Sequence, residues 1–407
     1  MEYETQIQID SKDNPHIVWI AKLEDDDPEI IPPNLYHTKW DGQNWTTLSG
    51  EILSDDLSNA NITNYENKNK SFDLENFSFE LNENDFPHIV WSEKQKTEKI
   101  RSMKYLYWNG GSWVNAYGEE YATLNNNSII KESRFEEGEL YYYSYDPQIS
   151  LDNDGIPYIS WKEISNTSSS KISGAIGSIA IIKLESKKWK LLDGSFFNPE
   201  TSPFEYKDLL IMNGDEFPEK VLAWSLVFDE HNTPNIFYEE GNVGLYHRIF
   251  KDDEWENQNY EFHQYDDKFH EYDTIERLNN YFSTDLSAVF DSKGYPHLSW
   301  IYEGISENNI EYTKWNGKFW VRYDGVRKEH TILPQHKKFV NKEDSYPNTC
   351  TKMVLDSNDN PHFTWIDFRE RYQDPVLVYI KWNGKQWVCA DGTPYKEETE
   401  SNPTPEQ

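Results

Sequence analysis

A short segment that occurs six times along this chain of 407 residues limits its possible folds more than any other feature. In each copy an Asp or Asn is followed five residues later by Pro, and an apolar run then ends on Trp or Tyr. The clearest copy extends from Asp291 through Pro296 and His297 to Trp300. Successive prolines lie 62 to 77 residues apart, at Pro15, Pro87, Pro157, Pro234, Pro296 and Pro361. A repeat of this kind indicates a chain built from copies of one structural unit.

Each unit carries the signals of four β-strands. In the first unit, alternating apolar residues predict strands at 5–9 and 16–20 with a turn between them. A third strand at 35–40 leads into the dipeptide Asp41-Gly42, and a fourth strand begins at Trp45. Such a dipeptide between apolar runs is the strongest short-range signal for a β-hairpin. The hairpin recurs before Trp113, Trp189, Trp255, Trp320 and Trp387, so six units of four strands predict 24 strands.

The expected fold class is all-β: a six-bladed β-propeller of four-stranded antiparallel blades with long loops on one face. The second strands are almost continuous apolar runs, as expected where both faces of each sheet are buried. We predict one domain at 1–392 and a disordered tail at 393–407. Its blades are expected at about 5–48, 76–116, 147–192, 224–258, 287–323 and 350–391. Closure of the ring would require the first blade to pack on the sixth. Short helical turns are expected in the long segments inserted between the strands, chiefly at 265–282.

The repeated turn and hairpin resemble those of secreted bacterial and archaeal propellers in the broad sialidase-like and lectin-like (BNR-type) group. The similar residues are the turn Asp291 to Trp300 with its five counterparts, and the hairpin from Trp315 through Asn316-Gly317 to Trp320. The resemblance extends over residues 5–391. It implies a propeller architecture and leaves the ligand open.

Charge and composition restrict the partners. The formal net charge of −33, from 39 basic and 72 acidic residues, argues against nucleic acid or an anionic membrane surface as a partner. No run of 18 apolar residues predicts membrane insertion, and the first residues lack the features of a signal peptide. Because strand-like sequence begins almost at the first residue, we expect an extracellular domain separated from its leader, or otherwise a cytoplasmic protein. We expect a monomer in either case.

The chain has two cysteines, Cys350 and Cys389, on the innermost and outermost predicted strands of one blade. Three inter-strand spacings separate them by about 14 Å, whereas a disulfide needs Cα atoms within about 7 Å. Both are predicted to be free thiols.

The turn face of the propeller, which carries the first-to-second and third-to-fourth turns, is predicted to be structural. Its repeated histidines lie in four different blades and cannot converge on one site: His16, His88, His297 and His362. The repeated Asp residues are expected to fold back on the turn amides, with Gly or Asn three or four residues later in the left-handed conformation. Third-strand cations are expected to pair with them: Lys39, Lys183, Arg248, Lys314 and Lys381.

The opposite, loop face receives the irregular segments, so any ligand site is predicted there. Two residues beyond the repeated Trp or Tyr lies a mostly acidic series: Glu93, Glu163, Glu240, Tyr302 and Asp367. Arg369 is added as a predicted ligand-binding residue because it lies close to Asp367 in the sequence. One hypothesis is a partial acidic ring that binds a polyhydroxyl ligand or Ca²⁺, with Glu163, Glu240 and Asp367 as the calcium ligands. The alternative is a recurrent loop cap.

Catalytic residues are sought among the histidines that do not repeat. The candidates are His263, Tyr265, His270, Tyr272, Arg277 and His330, a combination that suits β-elimination by a polysaccharide lyase. An aromatic insert that caps the ring is the alternative. Because no compact catalytic motif is present, the sequence favours a binding module for carbohydrate or another extracellular ligand. A lyase or glycosidase and a scaffold for protein partners are the alternatives. Loop aromatics that suit stacking on sugar rings are Tyr117, Tyr121, Tyr141, Tyr142, Tyr143, Phe196, Phe197, Tyr302 and Tyr372.

Overall fold

A computed structural model of the chain shows an all-β protein with almost no helix. The structure describes residues 5–21, 33–54, 57–63, 72–95, 100–121, 129–134, 141–166, 175–198, 221–240, 244–258, 283–303, 308–327, 331–333, 349–367, 376–389 and 392–395. Among these residues the helical structure is a three-residue 3₁₀ turn at Ser58–Ala60, and no helix is long and apolar enough to span a bilayer. The inserts predicted to hold helical turns, including 265–282, lie outside the described residues.

The strands form six consecutive antiparallel blades, as in a six-bladed β-propeller, and this confirms the predicted fold class. Blade 1 contains β1 (Thr5–Ile9), β2 (Pro15–Ala21), β3 (Asn34–Trp40) and β4 (Trp45–Thr46). Blade 2 contains β5 (Phe72–Leu81), β6 (Pro87–Gln95), β7 (Ile100–Trp108) and β8 (Trp113–Val114), with β9 (Ile129–Arg134) also paired to β7. Blade 3 contains β10 (Tyr141–Leu151), β11 (Pro157–Asn166), β12 (Ala175–Glu185) and β13 (Lys188–Lys190).

The remaining three blades have the same order. Blade 4 contains β14 (Val221–Phe228), β15 (Pro234–Glu240), β16 (Gly244–Lys251) and β17 (Glu254–Asn257). Blade 5 contains β18 (Ser283–Phe290), β19 (Pro296–Glu303), β20 (Asn308–Trp315) and β21 (Trp320–Val321), with β22 (Thr331–Ile332) also paired to β20. Blade 6 contains β23 (Thr349–Leu355), β24 (Pro361–Asp367), β25 (Val376–Trp382) and β26 (Trp387–Val388).

The chain divides into two compact units. One consists of residues 1–241 and 246–259 and holds blades 1 to 4, apart from the first two residues of β16. The other consists of residues 242–245 and 260–407 and holds blades 5 and 6. Within each unit, neighbouring blades bury the aromatic residues of their second strands, and the tryptophans at or near the repeat position are almost completely buried: Trp91, Trp161, Trp300 and Trp365.

The first turn of every blade has the predicted Asx geometry. Asp291 accepts hydrogen bonds from the amides of Lys293 (2.9 Å) and Tyr295 (2.8 Å), and the other five blades repeat both bonds. The left-handed residue is the third after the Asx in all six turns. It is Gly in blades 3 and 5, Asn in blade 4 and Asp in the rest: Asp13, Asp85 and Asp359. Aspartate at this position was not anticipated, although its short polar side chain tolerates the conformation.

The first strands begin earlier than predicted. Blades 2 to 6 start at 72, 141, 221, 283 and 349 instead of 76, 147, 224, 287 and 350. In each of these strands the register shifts at a β-bulge, and regular pairing resumes close to the predicted start, for example at Asn76 and Ser287. A bulge breaks the alternation of inward and outward side chains. The sequence pattern therefore revealed only the segment that follows the bulge.

A second hairpin on the outer edge of the blades was also missed. In five blades a glycine with positive φ follows the fourth-strand tryptophan by five residues: Gly50, Gly118, Gly194, Gly325 and Gly392. Its amide donates to the carbonyl three residues earlier, and the chain then forms a bridge back to the fourth strand, as in Thr46 with Ile52. The long connections that follow the fourth strands of blades 2 and 3 therefore begin with tight turns at Asn115–Gly118 and Leu191–Gly194.

Blade 6 extends past its predicted end. Pro394 pairs with Val388, and the amide of Tyr395 donates to the carbonyl of Trp387 at 3.0 Å. The ordered blade thus includes at least three residues assigned to the tail, and 396–407 lie outside the described residues. Cys389, just after β26, is a free thiol as predicted, and Cys350 lies in β23, the first strand of the blade.

Candidate functional site

At the turn end of the blades, the repeated histidines are buried and hydrogen-bonded within their own sheet. His88, His297 and His362 each share a hydrogen bond of 2.7 to 2.9 Å between Nδ1 and a tyrosine hydroxyl of the third strand. Burial lowers the pKa of His88 to about 4 and also lowers the pKa of His297. Neutral imidazoles held in this way are structural groups.

The two blades that lack this histidine have changed its partner as well. In blade 4, Asn235 replaces the histidine, and its Oδ1 lies 2.9 Å from Nε2 of His247 on the third strand. In blade 3, Tyr158 replaces it and the third strand offers the apolar Ile181, while the Tyr158 ring packs on Phe228 of blade 4 at 4.6 Å. The position therefore has a hydrogen-bonded pair within the sheet in five blades and an aromatic contact with the next blade in blade 3, and this supports a packing role.

The predicted pairing of third-strand cations with the turn aspartates is not seen as direct ion pairs. Lys39, Lys314 and Lys381 lie opposite the histidines in the register of β2–β3, β19–β20 and β24–β25. Among the described residues, no ion pair within 4 Å joins any of these lysines to a turn Asp. The turn carboxylates instead lie 3.6 to 3.9 Å from the histidine Nε2 atoms in blades 1, 5 and 6.

Blade 2 contains a buried ion pair on the loop side of its histidine–tyrosine pair. Glu93, the first member of the predicted acidic series, lies near the end of β6, and its Oε1 is 2.6 Å from Nζ of Lys104 on β7. Both side chains are buried, on the same sheet face as Trp91, which packs against the apolar residues of blade 1. The desolvation penalty of two buried charges can exceed the attraction between them. A buried ion pair is therefore weak evidence for a stabilising role.

Blade 3 has charged groups at a similar position along its strands. Asp146 occupies the β-bulge of β10 with φ of 59°, and Lys162 on β11 is almost completely buried. Burial raises the pKa of the Asp146 carboxyl, although the nearby Lys162 opposes this effect. The Lys162 ammonium lies 5.5 Å from the ring of Trp224, whose Nε1 donates to the Ser160 hydroxyl at 2.9 Å. A charged group in a low-dielectric interior with a specific partner is a candidate functional feature.

The other members of the acidic series are placed by their backbones alone. Glu163 lies opposite Ser144 and Ser178, and Glu240 lies opposite Val221, in the first unit. Tyr302 lies opposite Ser283 and Asn309, and Asp367 lies opposite Val376, in the second unit. Arg369 and the catalytic candidates His263, Tyr265, His270, Tyr272, Arg277 and His330 lie outside the described residues, as does Tyr372. Their roles, and the calcium site at Glu163, Glu240 and Asp367, remain predictions.

In the part of the chain that the structure describes, no group of three or more His, Cys, Asp or Glu side chains could hold a metal ion. The predicted sugar-stacking aromatics whose side chains the structure describes fall into two classes. Tyr117 and Phe196 are 50% and 64% exposed, but they belong to the hairpins on the outer edge of the blades and not to the loop face. Tyr121 and Phe197 pack inward: the Tyr121 hydroxyl donates to the carbonyl of Thr63, and Phe197 meets Trp161 edge to face.

Comparison with known proteins supports the architecture. No family description and no curated protein sequence match the chain. A polysaccharide lyase of family PL25, an ulvan lyase, superposes with a TM-score of 0.51 at 7% identity, covering 96% of this chain and 82% of the lyase. The α-L-arabinofuranosidase Arb93A from Fusarium graminearum, in complex with an iminosugar inhibitor, gives 0.50 at 8% identity, covering 93% of this chain and 92% of that enzyme. At these identities the similarity establishes the fold and nothing further.

Proposed function

We propose that this protein is a carbohydrate-binding module whose ligand site lies at the loop end of its blades. The observation that carries the proposal is the placement of buried charge. The buried ion pair of Glu93 with Lys104 in blade 2, and the half-buried Asp146 with the buried Lys162 in blade 3, lie between the middle of their sheets and the loop end, beyond the level of the turn-end histidines. The turn-ward half instead holds neutral imidazole and phenol pairs.

The chemistry of these groups suits a polyhydroxyl ligand. An ionised carboxylate accepts hydrogen bonds from two vicinal hydroxyls, and an ammonium group donates up to three. A small number of precisely placed polar groups in an otherwise apolar setting is characteristic of ligand sites. The net charge of −33 favours neutral glycans over uronates or sulfated sugars, because the latter would approach against a repulsive field.

Two structural neighbours act on or bind carbohydrates, which supports this ligand class. The PL25 ulvan lyase has been seen with -[GlcA(1-4)Rha3S]-, and Arb93A with an iminosugar inhibitor. A polysaccharide-acting enzyme is therefore the second candidate, and it is distinguished from a binding module by turnover.

A glycan array with the full-length protein tests the proposal. We expect saturable binding of a neutral oligosaccharide that is reduced at least tenfold in Glu93→Gln. Asp13→Asn, at an exposed position of the turn end, is the matched control and should bind as wild type. Thermal melting of both variants separates loss of binding from loss of folding. Product formation, seen as new reducing ends or a rise in ultraviolet absorbance, would favour the enzyme, and an array without any bound glycan would refute the proposal.

A further inference from the structure

Blade 1 places two imidazoles where three other blades place an imidazole and a phenol. Nδ1 of His16 lies 3.2 Å from Nε2 of His37 on the third strand. The equivalent partners of the histidines in blades 2, 5 and 6 are tyrosines: Tyr105, Tyr312 and Tyr379. Blade 1 therefore has two imidazoles, which in an unfolded chain are protonated near neutral pH, at a position where those blades have one.

This position lies at the contact between neighbouring blades. The ring of His37 meets Trp113 of blade 2 edge to face, with centroids 6.4 Å apart. Tyr105 of blade 2 meets Trp189 of blade 3 in the same manner at 5.3 Å. Burial raises the pKa of Tyr105 well above its ordinary value of 10, so the contact between blades 2 and 3 carries no charge on this residue at any physiological pH. His37, in contrast, has a side chain that can become charged in acidic solution.

Protonation of both rings in the closed pair is unfavourable. His16 and His37 are only 1% and 3% exposed, and His16 Nε2 and His37 Nδ1 have no hydrogen-bond partner among the described residues. The one shared hydrogen bond needs a lone pair on one of the two facing nitrogens. A pair with both rings protonated would bring two N–H groups together at this point, and the hydrogen bond would be lost.

Charged groups around the pair do not remove this penalty. The Asp10 carboxylate, 3.9 Å from His16 Nε2, favours the protonated form, but it is already bound to the amides of Lys12 and Asn14. Asp85, on the turn of blade 2, acts in the same direction at longer range, while its oxygens accept from the Ser11 amide and hydroxyl. Lys39, directly opposite His16, disfavours a charge on either ring.

We propose that His16 and His37 form a proton-sensitive latch between blades 1 and 2. Opening exposes the two imidazoles, which then take up protons, and this uptake shifts the equilibrium toward the state in which the first blade is separated from the second. Blade 1 then opens from blade 2 in mildly acidic solution before blade 2 opens from blade 3. The surfaces released are those of the apolar cluster that joins the two blades, including Val18, Leu35, Phe79 and Leu106.

The direction of the pH effect follows from the burial of the pair. Burial lowers the pKa of His16 to about 4 and that of His37 well below its usual range. The neutral pair is thus fully stabilising above the pKa of about 6.5 that histidine has in an unfolded chain. Below that pH each histidine that is protonated only after opening raises the opening equilibrium about tenfold per pH unit. Two histidines raise it up to about a hundredfold per unit.

Hydrogen exchange of the full chain tests the latch. Exchange rates of the β1–β2 amides are compared with those of the β6–β7 amides at pH 7, 6 and 5, after correction for intrinsic exchange. We expect opening of blade 1 to gain up to about a hundredfold per pH unit and opening of blade 2 about tenfold. His37→Tyr, which gives blade 1 the pair found in blades 2, 5 and 6, should reduce the response of blade 1 to the tenfold slope.

A reciprocal variant keeps the proposal testable if His37→Tyr folds poorly. Tyr105→His gives blade 2 a pair of imidazoles, and it should transfer the steeper response to the β6–β7 amides while leaving β1–β2 unchanged. Equal pH slopes for the two blades in the wild-type protein would overturn the proposal. It would also be overturned if His37→Tyr left the slope of blade 1 at its wild-type value.

Discussion

The turn end and the loop end of the blades differ in how their polar groups are used. At the turn end, all six blades repeat the same Asx hydrogen bonds, and five blades bury an imidazole bonded to a partner in the same sheet. At the loop end, the charged groups that the structure describes differ from blade to blade, as Glu93 with Lys104 and Asp146 with Lys162 show.

This difference separates architecture from function. A polar residue that recurs in every blade and is satisfied within its own sheet contributes to the fold, whatever its chemistry. A buried charge that occurs once has no architectural reason to be there, because a pair of apolar residues would fill the same space at lower cost. The histidines are conspicuous in the sequence and structural in the molecule, whereas Lys104 and Lys162 attract no notice in the sequence.

The largest effect is expected from acid, which acts on the turn end of several blades together. Burial lowers the pKa of His16 and His88 to about 4 and that of His247 to about 3. Their stabilising effect is complete above about pH 6.5 and decreases as the pH falls, by about 2 kcal/mol per histidine at pH 5. Urea unfolding between pH 7 and 5 measures this loss.

The control for the acid experiment is the exposed His231, which lies on the first turn of blade 4. His231→Gln should leave the pH dependence of unfolding unchanged. A free energy of unfolding that stays constant between pH 7 and 5 would show that the buried histidines are not held neutral, and the contrast between the two ends would lose its basis.

The next effect concerns the loop end. Lys104→Met leaves the Glu93 carboxylate buried without its cation and should cost about 3 to 5 kcal/mol of unfolding free energy. The double variant Lys104→Met with Glu93→Leu removes both charges and should recover most of this loss. Chemical denaturation measures both. If the double variant is as unstable as the single one, the ion pair stabilises the fold, and its use as evidence for a ligand site fails.

A smaller effect compares two equivalent glycines at the turn end. Gly317 and Gly384 both have positive φ in the third-to-fourth turn. A Cβ on Gly317 would lie 2.6 Å from the Tyr295 hydroxyl, whereas one on Gly384 meets no atom within 4 Å. Alanine should cost about 1 kcal/mol at Gly384 from the left-handed backbone alone, and up to about 1 to 3 kcal/mol more at Gly317. Equal melting temperatures for the two variants would contradict this contact.

The smallest effect belongs to the exposed hydrogen bonds that link turns of neighbouring blades. Asp85 accepts from the Ser11 amide and hydroxyl at 2.8 and 2.7 Å, and Asp359 accepts from Ser292 at the same distances. Asp85→Asn keeps a residue that tolerates positive φ and loses one acceptor oxygen, so it should cost less than about 1 kcal/mol. Asp13→Asn, with the same backbone conformation, is the control in differential scanning calorimetry. A loss above about 2 kcal/mol would mean that the turn end is held mainly by these contacts.

Sequence periodicity determined the blades because it reports local geometry. The interval of five residues from Asx to Pro is present in all six copies, and the Asn-Gly or Asp-Gly turn with its pair of tryptophans is present in four. Each of these signals fixes a short piece of backbone. The same signals were sufficient to assign Asp291 and its counterparts to Asx turns. They failed at the β-bulges, where an inserted residue such as Asp146 breaks the alternation on which strand prediction depends.

One missed element had a signal that could have been found. The glycine five residues after the fourth-strand tryptophan recurs in five blades, and comparison of the six units would have revealed the outer hairpin. The departures at Tyr158 and Asn235 were visible as substitutions, but their third-strand partners were not identified.

The sequence alone determined the repeat, its four strands, the Asx turns and the structural role of the turn end, because these depend on residues close together in the chain. Only the tertiary structure showed that Lys104 is the partner of Glu93, that Lys162 lies near Asp146, and that His37 meets both His16 and Trp113. These contacts join residues on different strands or blades. Strand register and blade packing decide them, and no local pattern of residue types records that information.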